Sequence, residues 1–167
     1  MLGQPEVVHR GDQPYVAIKA LVTMETLGAV LPGLHPEVRG WITARGDVPS
    51  GAPFFKYNVI DMERALEVEV GFPVTHAMTG DERVQAGVLP GGDYAMLLFT
   101  GHPDGLIAAT EALLQWAAQQ GLEWDVAQAS DGERWAARLE IYELDAPKDM
   151  DRWNTELAFR LADRSGP

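Results

Sequence analysis

The feature that most constrains this chain is that it repeats itself. Trp41 is followed by Gly46 and Trp116 by Gly121, and the equivalent members stand 75 residues apart in both cases (41 to 116, 46 to 121). Tyr57 and Tyr142 are 85 apart, while Glu69 and Glu156, like Phe72 and Phe159, are 87 apart. These pairs fall in the same order on elements of the same type. The spacing grows where the second half has a longer loop, Asp125 to Glu133. Self-similarity at so long a period means one supersecondary unit used twice.

In the first copy, apolar and β-branched periodicity predicts a strand over Tyr15 to Met24 and a short helix over Glu37 to Ala44 that stops at Gly46. A loop over Asp47 to Pro53 leads to strands Phe54 to Ile60 and Leu66 to Val74, joined as a hairpin by Asp61 to Arg64. The second copy reads as a strand over Arg83 to Leu89, a hairpin turn at Pro90-Gly91-Gly92, and a strand over Tyr94 to Thr100. Pro103 and Asp104 then open the strongest helix. Its apolar stripe is Leu106, Ala109, Leu113, Trp116 and Ala117, and Gly121 stands where a left-handed cap is wanted. Strands over Trp135 to Leu144 and Thr155 to Leu161 follow, and Asp163 to Pro167 reads as a frayed polar tail. The expected fold is a single α+β domain over residues 1–167. It would contain duplicated βαββ-type repeats, about 14–76 and 82–162, related by pseudo-twofold symmetry, with the antiparallel sheet forming a concave ligand cleft.

The chemistry must come from where the copies differ. In Leu139-Glu140-Ile141-Tyr142, period-2 alternation sends Leu139 and Ile141 to one face and Glu140 and Tyr142 to the other. If the apolar pair packs under the helices, Glu140 and Tyr142 face the groove beside Phe55 and Tyr57 of the first copy. One carboxylate among three rings suits a bulky apolar or cationic ligand, because ring faces attract cations and the carboxylate supplies counter-charge. The competing reading makes Glu140 part of an ordinary solvated sheet face. Trp116 reads as core, and Trp41, on a short helix beside Arg39 and Gly40, is left open.

Composition removes other classes. With 13 basic against 25 acidic residues, the net charge of −12 repels phosphate backbones and anionic membranes. There is no cysteine, hence no disulfide or thiolate site. His9, His35, His76 and His102 are scattered without ligand spacing and read as surface or loop histidines, so no metal site is expected. Neither a Gly-x-Ser-x-Gly elbow nor a phosphate-loop lysine is present, and no cofactor is expected. No apolar run approaches the roughly 18 residues of a spanning helix, and no secretory pattern opens the chain, which points to the cytoplasm.

Several segments together resemble a known family. They are Pro53-Phe54-Phe55-Lys56-Tyr57, Leu66 to Val74, Val88 to Ala95, Leu113-Leu114-Gln115-Trp116, Glu140-Ile141-Tyr142 and Trp153 to Leu157. The family is the GyrI-like small-molecule-binding domain, a module also used as the effector-binding domain of multidrug-responsive transcription regulators. The resemblance covers nearly the whole chain. It implies two βαββ-type repeats around a sheet-lined cleft, with an acidic residue two before a tyrosine lying among aromatics. Here that residue is Glu140, before Tyr142, and the walls would be Trp41, Phe55, Tyr57, Tyr142 and Trp153. The turn before the long helix departs from the family's His-x-Gly-Pro-Tyr-like pattern, being Thr100-Gly101-His102-Pro103-Asp104-Gly105, so the rim of the site is expected to differ.

The resemblance leaves two activities open. One is binding or sequestering a small molecule. The other is that of stand-alone members resembling hydrolases that open cyclopropane rings of alkylating natural products; Glu140 and Tyr142 would then be catalytic, Glu140 by activating water. A protein partner such as a topoisomerase is suggested by the family name and the acidity, and by nothing else in the chain. No helix-turn-helix pattern is present, so any role in transcription is expected to run through another chain.

Overall fold

The computed structural model describes residues 1–163; the rest of the expected tail, 164–167, lies outside the described residues. In chain order the elements are β1 (Glu6–Arg10), β2 (Gln13–Val22), α1 (Leu27–Val30), α2 (Leu34–Ala44), β3 (Phe54–Ile60), β4 (Leu66–Pro73), β5 (Gln85–Leu89) and β6 (Gly92–Thr100). There follow α3 (Leu106–Gln119), β7 (Val126–Ala129), β8 (Gly132–Trp135), β9 (Arg138–Ile141) and β10 (Asn154–Arg160). The strands form one sheet ordered β1-β6-β10-β9-β3-β4-β2-β5, with β8 added to β3 and β7 to β8. Every pairing is antiparallel.

One long pairing curls this sheet. Glu6–Arg10 lie against Gly92–Met96, and Gln13–Ala17 against Gln85–Leu89, in a single register that continues across the bend at Gly11-Asp12 and Pro90-Gly91. The Asp12 carboxylate accepts the Gly91 N–H at 2.6 Å and ties the two bends together. Pro90-Gly91-Gly92 is therefore a bend in a long strand and not the hairpin turn expected. β5 pairs with β2 and β6 pairs with β1, never with each other. Proline and glycine favour both structures, and the partner strand decides between them.

Two further differences concern strands. β1 has no counterpart in the sequence reading, and the expected loop over Asp125 to Glu133 is mostly the β7–β8 hairpin. β8 is short and gains its partner bonds from the end of β3, where Val59 faces Arg134 and Ile60 faces Glu133. The expected strand Trp135 to Leu144 is thereby divided, with β9 ending at Ile141.

Both longer helices end alike. Gly46 and Gly121 adopt φ of 78° and 70°, where a side chain is strained. In each case the glycine N–H and the following N–H bond back to the last-turn carbonyls: Gly46 to Thr43 and Asp47 to Ile42, Gly121 to Ala118 and Leu122 to Ala117. This is the Schellman arrangement, which satisfies carbonyls that the helix end orphans.

The core divides by sheet face. Val38 and Ile42 of α2 bury against Val16, Ile18 and Phe72. Leu106, Ala109 and Leu113 of α3 bury against Leu97, Leu157 and Phe159. Alternation along β4 and β10 puts these sheet residues on one face, so both helices cover the same side. The opposite side carries a smaller cluster of Tyr15, Phe54, Tyr94, Leu139 and Ala158, with Ile141 at its margin. Beside it, Glu69 accepts from Tyr15 Oη at 2.8 Å, Lys56 Nζ at 3.2 Å and Asn58 Nδ2 at 2.9 Å.

Candidate ligand-binding cleft

Both helices sit on one face, and a trough lies between them over β3 and β9. Its volume is about 1150 Å³. Phe55, Tyr57, Arg138, Glu140 and Tyr142 form the floor, α1 and the start of α2 one wall, and α3 the other. Trp153 closes one end. The expectation that Leu139 and Ile141 pack under the helices is corrected: they belong to the opposite side of the sheet, and Glu140 shares its face with the helices.

Phe55 and Glu140 are direct cross-strand partners in β3 and β9. Tyr142 lies one residue beyond β9, held in line by its N–H bonding to the Pro53 carbonyl at 2.8 Å. The hydroxyls of Tyr57 and Tyr142 both donate to Glu140 Oε1, at 2.9 and 2.8 Å. No side chain among the described residues bonds to Oε2. Burial raises the Glu140 carboxyl above its ordinary range, against the two tyrosine hydrogen bonds and the Arg138 charge, which favour the anion. Both phenols are pushed well up, first by burial and then by the Glu140 charge, so they remain donors.

Aromatic edges surround the acid. The Tyr142 ring meets Phe55 edge-on at 5.1 Å and Trp153 at 6.2 Å, and the Trp153 indole N–H is fixed by the Pro147 carbonyl at 2.7 Å. Trp41 is not part of this group. It lies on the far side of α2, where its indole N–H donates to Asp81 at 2.9 Å and the Arg45 guanidinium covers its ring at 3.5 Å. Trp41 as a cleft wall is therefore corrected: a short helix places one residue per turn toward the sheet, and Val38 and Ile42 hold those positions.

Two cleft residues were not anticipated. His35 reads as a surface histidine, yet its ring stacks on Phe55 at 4.9 Å with an interplanar angle of 2°, and its Nε2–H donates to the Phe54 carbonyl at 2.9 Å. Burial lowers its basicity. No local pattern at the start of α2 signals this. Arg138 was legible, since it stands two residues before Glu140 and period-2 alternation carries it to the same face. Its guanidinium lies against both Trp135 and Phe159, 4.7 and 4.6 Å from their ring centroids.

Among the described residues, no helix is long and apolar enough to cross a membrane, and no group of three or more His, Asp or Glu is arranged to hold a metal ion.

A family model described as the GyrI-like small molecule binding domain matches residues 3–162. The chain belongs to the GyrI-like family. No curated protein matches it in sequence. Among solved structures, this GyrI-like chain is similar to the EcmrR C-terminal domain, with a TM-score of 0.70 at 15% identity, covering 96% of this chain and 98% of that one. In the EcmrR–DNA complex the TM-score is 0.72 at 18% identity over 95% of this chain, which spans 57% of the longer EcmrR chain. SAV2435 bound to tetraphenylphosphonium gives a TM-score of 0.66 at 11% identity, covering 96% and 94% of the two chains. A hydrolase from Listeria innocua gives 0.62 at 12% identity, covering 95% and 92%. At these identities the likeness is one of fold: an α+β, mostly antiparallel curled sheet with two main helices.

Proposed function

We propose that this GyrI-like chain binds a bulky, largely apolar or cationic organic molecule in the cleft, as an effector-binding or drug-sequestering protein of the cytoplasm, with Glu140 as the counter-charge. The observation that carries this reading is the Glu140 carboxylate, fixed at Oε1 by Tyr57 and Tyr142 and uncommitted at Oε2. Such an acid is oriented before any ligand arrives, and the rings beside it attract cations. Glu25, Asp104, Glu111 and Glu143 also line the cleft and raise the local concentration of cations. SAV2435, of similar fold, is bound to a lipophilic cation.

Internal duplication belongs to this reading, and the registers support it. Phe55 faces Val70 as Glu140 faces Leu157, Val16 faces Phe72 as Ala95 faces Phe159, and Tyr15 faces Gly87 as Tyr94 faces Val8. The spacings are those of the sequence repeat, 85 for β3 to β9 and 87 for β4 to β10, and 79 carries β1 to β5 and β2 to β6. On this reading the first unit reaches back to Glu6. A twofold axis would then pass between Phe55 and Glu140, which face each other at the 85-residue spacing. Tyr57 and Tyr142 become symmetry mates that share the one acid.

The test is titration with tetraphenylphosphonium and a panel of other lipophilic cations, followed by the fluorescence of Trp153 against a Trp153→Phe control. Saturable change lost in the control is expected. Absence of saturable binding by every compound would overturn the reading.

A second reading is hydrolysis of a strained ring, favoured by a carboxyl whose affinity for protons is raised and whose second oxygen is free. Glu140 would take a proton from water while the water oxygen bonds to a ring carbon. The ring carbon–carbon bond breaks, its electron pair passes to a conjugated carbonyl, and that oxygen takes up the proton. Time-resolved mass detection decides between the readings, since hydrolysis adds one water and binding returns the ligand unchanged.

A further inference from the structure

We propose that Arg138 is a second polar anchor of the cleft and that the ligand is an apolar ring body carrying a carbonyl oxygen for Arg138 as well as a cation or N–H for Glu140. The inference rests on the cleft being the binding site.

Arg138 is only 9% exposed, yet its side chain has no hydrogen bond to any described residue and no ion pair within the usual range. Every other buried charged side chain is answered: Lys56 and Glu69 by each other, and Arg160 by Asp125, Asp163 and the Gly91 carbonyl. A guanidinium carries five N–H donors in a rigid fork and stays protonated even when buried. The Arg138 nitrogens are not sealed from solvent, so with no acceptor among the described residues their hydrogen bonds go to water or to a ligand in the cleft that Arg138 lines.

The surroundings explain how the cation persists and where it can act. The rings of Trp135 and Phe159 pack on each other with centroids 5.8 Å apart, and both lie against the guanidinium, 4.7 and 4.6 Å from its carbon, which stabilises the cation while Arg138 lines the cleft. Arg138 and Glu140 project from the same face of β9, roughly 7 Å apart along the strand. A ligand over the floor therefore meets an acceptor and a donor in fixed order. A carbonyl oxygen answers Arg138 without repelling Glu140, as a carboxylate on the ligand would.

The test uses two phosphonium cations that differ at one position: (4-oxo-4-phenylbutyl)triphenylphosphonium and its methylene counterpart, (4-phenylbutyl)triphenylphosphonium. The wild type should bind the ketone about tenfold more tightly, the size expected for a hydrogen bond to a charged donor. Arg138→Met keeps the length and apolar packing of the side chain and should bring the ratio to about one. Arg138→Lys keeps a cation and should retain part of the preference. An equal affinity of the wild type for the two compounds, or a preference that survives in Arg138→Met, overturns the proposal while leaving the cleft as the site. Failure of both cations to bind overturns the two together. If Arg138→Met does not fold, the wild-type ratio and the Arg138→Lys variant still decide.

Discussion

Tyr57 and Tyr142 donate to one oxygen of one carboxylate, although 85 positions separate them in the chain, one lying in β3 and the other just past the end of β9. Two donors on Oε1 fix the plane of the acid and leave its second oxygen toward the cleft.

Removing the charge while keeping the shape isolates its role. Glu140→Gln should weaken tetraphenylphosphonium binding about tenfold at neutral pH, as expected for loss of a desolvated counter-charge. The ring walls remain, so binding is reduced and not abolished. Isothermal titration at one ionic strength measures this.

The pH dependence follows from the direction of the Glu140 shift. Its carboxyl holds a proton above the ordinary value of 4.5, so within the window from 4.5 to the raised value the folded state carries more protons than the unfolded chain. Stability from this group is then greatest on the acid side and falls as pH rises through the window, levelling above it. Urea unfolding of wild type and Glu140→Gln, from about pH 4 to about pH 8, should show the wild type losing ground relative to the variant as pH rises. Cation binding should run the other way, strengthening as the acid ionises.

The tyrosines should act through the acid. Tyr57→Phe and Tyr142→Phe each remove a bond that favours the anion, so each should raise the Glu140 pKa further and weaken cation binding about threefold at neutral pH. In a Glu140→Gln background the same substitutions should change binding far less. A double-mutant cycle reads this coupling; additive effects would mean that the phenols touch the ligand independently of the acid.

On the face away from the helices the buried pair is structural. Lys56→Met leaves Glu69 with two neutral donors and no cation, and should cost about 3 kcal/mol in chemical unfolding. Lys56→Met combined with Glu69→Gln should recover most of that loss. The sheet separates this network from the cleft, so cation affinity should stay unchanged in both variants.

The parts of the fold legible in the sequence are those where local pattern and structure coincide. Alternation in Leu139-Glu140-Ile141-Tyr142 separates the two faces, and the glycines after each helix mark left-handed ends that the backbone adopts. What failed was set by distant partners. Pro90-Gly91-Gly92 turns a hairpin or bends a long strand according to whether β1 lies alongside, and β1 is some 80 residues away. β8 is a strand because Val59 and Ile60 offer it an edge. Trp41 was misplaced because the same aromatic residue serves a ligand wall or a surface stack, and Asp81 and Arg45 decide which. The identity of the side faced by the helices was likewise beyond alternation alone, which divides two faces without saying which is covered.

The unbroken register of 6–17 on 85–96 has a mechanical consequence. A slip of one residue on either side of the bend would have to propagate through Gly11-Asp12 and invert the side chains on the other, so neither wing of the molecule can change register alone. Denaturation should appear as one all-or-none step, reported alike by Trp41 beyond one helix and Trp124 beside the other, and the carboxylate at the centre should keep its alignment until the whole chain lets go.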